Sequence, residues 1–236
     1  MVSGLGVLGN MPIARRRPPP RPDRAPQAPY RPALPAVAAL PTLTGPHLVL
    51  RQLAERDLPA LYAVFSDPLV MRYWSHPPLA SPADAAWYFA NLEAGRRDRR
   101  FWQWGIAVRD EDTVIGTVSL FGADAARRRA ELGYAIASAR WRRGHASEAV
   151  HLAIAHAAGA LGLRTLRADV DPRNLASRGL LETLGFRCTA QRHTGRCVDG
   201  VPVPSASYVL QMHMPDATHG RTGFADPVME PADPER

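Results

Sequence analysis

The chain has 236 residues, enough for one sizeable domain with tails, and 46% of them are apolar, as in ordinary globular proteins. No apolar run is long enough to span a bilayer, and residues 1–10 lack the basic region and cleavage site of a secretory signal. We therefore expect a cytoplasmic protein with no membrane partner. The net charge of +7 comes from arginine alone, because lysine is absent; it suits an anionic ligand but also plain solubility.

The two ends of the chain differ in composition from its middle. Residues 1–46 hold eleven of the 23 prolines and six arginines against one aspartate, which predicts a disordered or polyproline arm. The arm is either an electrostatic handle for RNA or the ribosome or an extension without function. The second is favoured, so we expect no nucleic-acid partner except through the arm. Residues 215–236 are acidic and proline-punctuated, which predicts a flexible tail and leaves 47–214 as the folded domain.

Apolar periodicity and turn residues divide this domain into predicted elements in the order strand, two helices, three strands, helix, strand, helix, two strands. They fall at 48–51, 54–65, 81–97, 104–109, 114–121, 131–136, 145–161, 166–170, 175–184, 186–192 and 206–212. The best-marked start is Ser81-Pro82-Ala83-Asp84, with a serine cap, a proline at the first helical position and an acid three residues after the cap. This order is typical of a mixed α/β fold.

The run Arg140-Trp141-Arg142-Arg143-Gly144-His145-Ala146-Ser147-Glu148-Ala149 joins the strand at 131–136 to the next helix. Backbone N–H groups at such a helix start have no intrahelical partner, and the helix dipole adds positive potential. Gly144 and Ala146 carry no bulk, so a phosphate could lie against the backbone. The run is neither a P-loop nor a dinucleotide fingerprint, and by itself it fits an ordinary strand-to-helix turn equally well.

Cysteine and histidine patterns indicate no metal chemistry. Cys188 and Cys197 lie nine residues apart without a CxxC spacing, which favours two reduced thiols, although one disulfide stays open. The eight histidines are scattered and form no His-Glu-x-x-His motif, so we predict no metal site.

Several motifs together resemble the GNAT family of acetyl-CoA-dependent N-acetyltransferases over roughly residues 47–213. They are Trp141-Arg142-Arg143-Gly144-His145-Ala146, Asp171-Pro172-Arg173-Asn174-Leu175-Ala176-Ser177, Asp67-Pro68-Leu69-Val70-Met71-Arg72-Tyr73-Trp74, Glu131-Leu132-Gly133-Tyr134 and Leu184-Gly185-Phe186. Trp141 stands where the family signature has Gln or Arg, a departure similar to the Rim-type ribosomal-protein N-terminal acetyltransferases. The resemblance implies a mixed sheet of about six to seven strands, splayed in the middle and flanked by about four helices.

The resemblance also implies acetyl-CoA as co-substrate. The turn residues Arg142, Arg143, Gly144, His145, Ala146 and Ser147 would hold its pyrophosphate, mostly through backbone amides. The pantetheine would lie in the splayed gap, with Ala135, Ile136 and Ala137 as backbone partners. Asn174 reads as a helix N-cap from its own position, and in the family the matching asparagine also contacts the CoA arm.

Two residues are candidates for acid–base catalysis. Ser177 is the candidate acid for the departing thiolate, because Leu181 replaces the tyrosine that many GNAT enzymes use; a surface serine without a role is the alternative. Glu131 is the candidate base for the amine, and its alternative is an ion pair with one of the arginines at 127–129. Asp169 is a weaker candidate, and Asp171 is expected to belong to the turn before the helix. No acidic residue precedes Tyr208 where Rim-type proteins often carry one, which leaves a second base in doubt.

The acceptor side is expected to include aromatic side chains, namely Tyr73, Trp74 and Trp102. Together these features predict acetyl transfer to a primary amine, foremost a protein N-terminal α-amine of the ribosomal type, by direct attack in a ternary complex. The alternatives are a small-molecule amine acetyltransferase and a non-catalytic acyl-CoA-binding module.

Overall fold

One mixed sheet organises the computed structural model, which describes residues 6–7, 40–97, 101–198 and 201–212. Over these residues the strands are β1 (Gly6–Val7), β2 (Leu43–Thr44), β3 (Leu48–Gln52), β4 (Phe101–Val108), β5 (Val114–Asp124), β6 (Arg129–Ile136), β7 (Thr165–Val170), β8 (Arg187–Val198) and β9 (Val201–Gln211). The helices are α1 (Leu58–Phe65), α2 (Pro68–Met71), α3 (Pro82–Arg97), α4 (His145–Gly159) and α5 (Leu175–Thr183), with 3₁₀ turns at Glu55–Asp57 and Ser138–Arg140.

The sheet runs in the order β2-β3-β4-β5-β6-β7-β9-β8, with β1 pairing on β6 in addition. All neighbours are antiparallel except β6 and β7, which are parallel. Parallel strands need a crossover, and here α4 supplies it. The turn before α4 is therefore placed at the end of β6, beside the junction of the two halves of the sheet.

The sheet is splayed at that junction. β6 and β7 pair only over Arg129–Glu131 and Thr165–Arg167, after which β7 pairs on its other edge with β9 alone. The rest of β6, from residue 132 to 136, faces a gap on that side. The mixed α/β fold with a central splay is thus confirmed, with slightly more strands and helices than the sequence predicted.

The core lies on both faces of the central strands. Eight consecutive residues of β5, 114–121, are buried, and because neighbouring residues point to opposite faces, both faces must be covered. Helix α1 packs on β5, α3 packs on β4, and α4 packs on β3, β5 and β6. The small side chains Ala146, Ala149 and Ala153 bring α4 close to the sheet. The turn before α4 is therefore held in place by a helix that packs closely on the sheet.

Local capping explains why α3 begins where the sequence predicted. The Asp84 carboxylate accepts hydrogen bonds from the Ser81 N–H at 2.9 Å and the Ser81 hydroxyl at 3.0 Å. The Asp84 N–H in turn lies 3.3 Å from Ser81 Oγ. This reciprocal arrangement is the capping box that the spacing of the two residues indicated.

The predicted arm and tail are described only in small part. Strands β1 and β2 fall within residues 1–46, whereas residues 1–5, 8–39 and 213–236 lie outside the described residues. Cys188 carries an exposed free thiol, and the side chain of Cys197 is outside the description. Among the described helices, none has the length and apolar character needed to cross a membrane.

Candidate functional site

A tightly held turn connects β6 to α4. The Trp141 indole N–H donates to the Ile136 carbonyl at 2.7 Å, which anchors the turn to the end of β6. Arg142 and Gly144 then adopt positive φ angles of 60° and 78°. Left-handed backbone costs a non-glycine residue roughly 1–3 kcal/mol, so the surrounding structure must hold Arg142 in place. The conformation of the turn is therefore determined by the anchored residues at its two ends and not by contacts of the side chains between them.

The start of α4 is left without a cap. Gly144 occupies the N-cap position, and among the described residues no side chain bonds the first backbone N–H groups of the helix. A Cβ built on Gly144 would meet no atom of the described part of the chain within 4 Å, so the position is open on that side. A phosphate group fits here for three reasons: the backbone amides are unpaired, they lie at the positive end of a 15-residue helix, and the approach to them is open. Ala146 is buried and Ser147 is half-buried, so both contribute through their backbone.

The predicted basic residues of the turn are accessible. Arg142 and Arg143 are exposed, and no ion pair of either is found among the described residues. His145 is half-buried, and its Nδ1 has no hydrogen-bond partner in the described part of the chain. The two guanidinium groups are therefore free to reach an anion lying on the turn.

Glu148 fixes the first turn of α4 against β3. Its carboxylate accepts from the backbone N–H of His47 at 2.8 Å and of Leu48 at 2.9 Å, and it pairs with His47 Nδ1 at 3.0 Å. Burial alone would raise the pKa of Glu148, but these hydrogen bonds outweigh it and hold the pKa below its usual value. The contact therefore holds the start of α4 against β3.

The open edge of β6 supplies backbone groups to the splayed gap. The Ala137 N–H donates to Ile115 of β5, and backbone groups alternate in direction along a strand, so Ala135 also bonds towards β5. The backbone N–H and C=O groups of Tyr134 and Ile136 point the opposite way, into the gap. The Ile136 carbonyl is taken by Trp141, which leaves its N–H for a ligand. Of the predicted trio Ala135, Ile136 and Ala137, Ile136 is thus the one whose amide faces the gap.

The dipeptide of β1 lies along this same edge. Val7 is opposite Tyr134 and Gly6 is opposite Ala135, in antiparallel register. β1 also contacts β7, so it lies in the gap between β6 and β7. An extended chain can therefore run through the gap and pair with β6, which is the geometry expected for a pantetheine arm.

Helix α5 begins beside the gap with a set of buried polar side chains. Asn174 is fully buried and caps the helix by accepting from the Ser177 N–H at 3.2 Å. Ser177 is itself fully buried, which removes the alternative of a surface serine. Asp171 accepts from the Arg173 N–H at 2.9 Å and the Arg173 guanidinium at 2.6 Å, so it belongs to the turn before α5, as expected.

Glu131 lies at the last paired position of β6 and β7. Burial first, and then the charge of Asp169, raises the pKa of Glu131 above its usual value, against the opposing charges of Arg167 and Arg129. The arginines at 127–129 are engaged elsewhere: two pair with Asp124, and the third donates to the Gly162 carbonyl. Glu131 itself forms no ion pair among the described residues. A half-buried carboxylate with a raised pKa is suited to accept a proton.

Asp169 accompanies Glu131 on the same face of the sheet. It lies two residues after Arg167, the partner of Glu131, and its Oδ1 accepts from the Ser207 hydroxyl at 2.6 Å. From the sequence Asp169 is only a weak candidate, because the register that sets it beside Glu131 is a tertiary feature. The signal that could have found it is the burial alternation of β7, in which Asp169 falls on the more exposed face.

The three predicted acceptor-side aromatics are separated by the structure. Trp74 and Trp102 are about 5% and 4% exposed and belong to the main hydrophobic core, where Trp74 packs edge-on against Phe65. Tyr73 is buried outside that cluster, with the guanidinium groups of Arg72 and Arg173 over its ring at 5.4 and 5.8 Å from the centroid. Tyr73 therefore lies beside the start of α5.

Comparison with known proteins identifies a family with this domain. Residues 47–187 match the GNAT acetyltransferase domain family. YoaA of Bacillus subtilis (strain 168), described as an uncharacterised N-acetyltransferase, is 35% identical over 147 residues, which are 62% of this chain and 83% of YoaA. A putative acetyltransferase structure from T. thermophilus is 26% identical, with a TM-score of 0.65 over 74% of this chain and 92% of that one. The coenzyme A complex of RimL, described as a ribosomal L7/L12 α-N-protein acetyltransferase, shares the fold at 14% identity, with a TM-score of 0.64 over 73% of this chain and 98% of RimL.

Proposed function

The chain belongs to the GNAT family of acetyl-CoA-dependent N-acetyltransferases, and from this premise we propose that its acceptor is the α-amine of a protein N-terminus, of the ribosomal-protein type, in the cytoplasm. The observation that carries the proposal is the position of Glu131, Asp169 and Ser177 around the splayed gap. Glu131 and Asp169 lie on one face of the sheet, and residues three apart on a strand point to opposite faces. Tyr134 and its neighbour Ser177 thus lie on the other face, and the gap joins the two sides.

The residues present fit acetyl-CoA. The uncapped start of α4 and the open space at Gly144 suit its pyrophosphate, with Arg142 and Arg143 in reach. The backbone of Tyr134 and Ile136 suits an extended arm in the gap. When bound, acetyl-CoA supplies the activated acetyl thioester, and the protein orients the acceptor and moves protons.

The proposed reaction requires one base and one acid. The neutral amine attacks the thioester carbonyl carbon, so the carbon–nitrogen bond forms and the carbon–sulfur bond breaks. Glu131 accepts the proton that the amine loses, and Ser177 donates its proton to the departing sulfur. Ser177 regains a proton from solvent as Glu131 releases its own, so protons balance over the cycle. Positioned acid–base groups contribute roughly 10²–10⁴-fold each.

The chemistry of the acceptor supports an α-amine over a lysine side chain. An α-amine has a pKa of about 7.7–8.0 and lysine one of about 10.4, so at pH 7.5 roughly 200-fold more of the α-amine is neutral and able to attack. The guanidinium of Arg173 is already paired with Asp171, but that of Arg72, over the Tyr73 ring beside α5, disfavours a polycationic acceptor and suits a peptide with an acidic residue behind its first residue.

Matched acceptors test the proposal. The purified chain is incubated with acetyl-CoA and one of three acceptors: a peptide with a free α-amine and no lysine, the same peptide with a blocked α-amine and one lysine, and spermidine. Mass spectrometry then follows the addition of one acetyl group. We expect rapid modification of the first acceptor only. Preferential acetylation of spermidine would favour the small-molecule alternative, and acetyl-CoA binding without any turnover would favour a non-catalytic acyl-CoA module.

A further inference from the structure

The hydroxyl of Tyr134 is a buried polar group that the proposed reaction does not yet use. Tyr134 is 1% exposed towards the end of β6, and its hydroxyl has no hydrogen-bond partner within the described part of the chain. A buried hydroxyl without a good partner costs roughly 1–3 kcal/mol, whereas phenylalanine would fill the same volume without that cost. The position therefore carries a group that packing does not require.

The group beside this hydroxyl is Ser177. Among the described residues, Ser177 is the side chain close enough to influence the Tyr134 phenol, although burial is the stronger influence and raises the pKa of Tyr134 well above its usual value. Ser177 is fully buried at the start of α5, where Asn174 caps the helix through the Ser177 N–H. Tyr134 also lies on the stretch of β6 that faces the gap. The two buried side chains therefore lie near the place where the gap, β6 and the start of α5 converge.

We infer that Tyr134 is a positioning residue for Ser177: its hydroxyl donates a hydrogen bond to Ser177 Oγ and so directs the serine proton towards the sulfur that departs in the gap. The inference rests on the proposed role of Ser177 as the acid. A phenol donates more strongly than an aliphatic hydroxyl, which determines the direction of the bond between them. As the serine proton moves to sulfur, the Tyr134 hydrogen bond stabilises the negative charge that develops on Ser177 Oγ.

Burial suits Tyr134 to donate this bond without losing its own proton. The raised pKa keeps the phenol neutral throughout the cycle, so it remains a donor and no tyrosinate forms. Tyr134 keeps its proton throughout, and the proton that reaches sulfur is the one that Ser177 held. Tyr134 would thus assist the leaving group from β6, whereas the family tyrosine that Leu181 replaces would do so from the helix.

A double-mutant cycle tests the inference. Tyr134→Phe, Ser177→Ala and the double variant are compared with wild type by kcat and KM for acetyl-CoA, using the free-α-amine peptide, and by Tm. We expect Tyr134→Phe to lower kcat by roughly 10–100-fold, the range of a hydrogen bond to a charged oxygen, with KM unchanged and Tm unchanged or raised. In the Ser177→Ala background the same substitution should cost no further kcat.

Tyr88→Phe is the matched control. Tyr88 is also a buried tyrosine, but its hydroxyl accepts from Gln103 Nε2 at 2.9 Å, away from the gap. Its substitution should lower Tm and leave kcat unchanged. That pattern is the reverse of the one expected for Tyr134→Phe.

Each other outcome is decisive. Loss of kcat in Ser177→Ala but not in Tyr134→Phe would overturn the inference and leave the proposed acid intact. Equal losses from Tyr134→Phe in both backgrounds would mean that Tyr134 acts without Ser177. Unchanged kcat in Ser177→Ala would refute the acid itself. If no acceptor is turned over, Tm decides: additive effects of the two substitutions on Tm would show that the hydroxyls do not interact.

Discussion

The two halves of the site, the turn before α4 and the gap between β6 and β7, are built by different means. The turn is a single stretch, residues 141–147, whose middle, residues 142–144, is exposed and whose uncapped helix start presents backbone amides. The gap gathers side chains from β6, β7 and α5 that are largely buried, and several of them interact with one another. The binding proposed for the turn would therefore depend on backbone angles and free space, whereas the chemistry proposed for the gap would depend on burial and neighbouring charges.

This difference predicts how each half responds to substitution. The charged side chains of the turn, Arg142 and Arg143, are exposed, so solvent and salt screen their charges. Side chains of the gap lie where a neighbouring charge changes the proton affinity of a carboxylate. Substitutions at the turn should alter binding of acetyl-CoA, and those at the gap should alter turnover and its dependence on pH.

The largest effect is expected from Glu131→Gln. Loss of the base should lower kcat by roughly 10²–10⁴-fold and remove the acidic limb of the kcat/KM profile, while the dissociation constant for acetyl-CoA stays unchanged. Steady-state kinetics across pH measure the first two, and calorimetry measures the third. Glu55→Gln, on the exposed turn before α1, is the control and should match wild type. Weakened acetyl-CoA binding in Glu131→Gln would show that the gap also contributes to binding and would contradict the separation of binding at the turn from catalysis at the gap.

The same variant makes a linked prediction for stability. The pKa of Glu131 is raised in the folded state, so its contribution favours folding below the unfolded-state pKa, about 4.3, and is lost as pH rises through the folded value. Glutamine carries no such penalty at neutral pH. Glu131→Gln should therefore melt above wild type at pH 7 and lose that advantage in acid, as followed by thermal unfolding at several pH values.

A smaller but still large effect is expected from Gly144→Glu. The new side chain must adopt a φ of 78° and places a negative charge on the phosphate site, so acetyl-CoA should bind roughly 10²-fold more weakly by calorimetry. Gly159→Glu is the matched control, because it makes the same change at the far end of α4, where a Cβ also meets nothing within 4 Å. Its affinity should equal that of wild type, and equal losses in both variants would refute the phosphate site.

Removal of residues 1–10, with Met11 as the new start, should have an effect of only a few-fold. Gly6–Val7 pairs with the edge of β6 that the CoA arm would use. A segment that occupies this edge lowers the apparent affinity for acetyl-CoA in proportion to the fraction of molecules in which the gap is open. The shortened chain should bind acetyl-CoA about 2–10-fold more tightly by calorimetry. The deleted stretch has no charged side chain and the arginines at 15–17 are retained, so a change in affinity cannot come from lost positive side chains. Weaker binding would mean that the segment assists the ligand.

The smallest effect is expected from Asp169→Asn. The negative charge of Asp169 helps to raise the pKa of Glu131, so its removal should move the acidic limb of the kcat/KM profile to lower pH by no more than about one unit. Maximal kcat should change little, because asparagine can still accept from Ser207. An unshifted limb in this variant would mean that the charge of Asp169 does not influence the pKa of Glu131.

Much of the fold and half of the site could be predicted from the sequence. The caps at Ser81 and Asn174, the glycine before α4 and the strand periodicities are local signals, and each describes an element that the structure contains. The exposed turn was predictable for the same reason, since its residues are consecutive. What the order of elements could not supply was the length over which β6 and β7 stay paired, which defines the gap.

The tertiary structure alone decided which side chains meet. It set Asp169 beside Glu131, placed Tyr134 next to Ser177, and separated Trp74 and Trp102, which lie in the core, from Tyr73 beside α5. Residues on different elements are brought together by strand register and helix packing, which depend on the burial of the whole core. A helix cap or a turn needs only its near neighbours, whereas a proton affinity depends on every charge and apolar group packed around it.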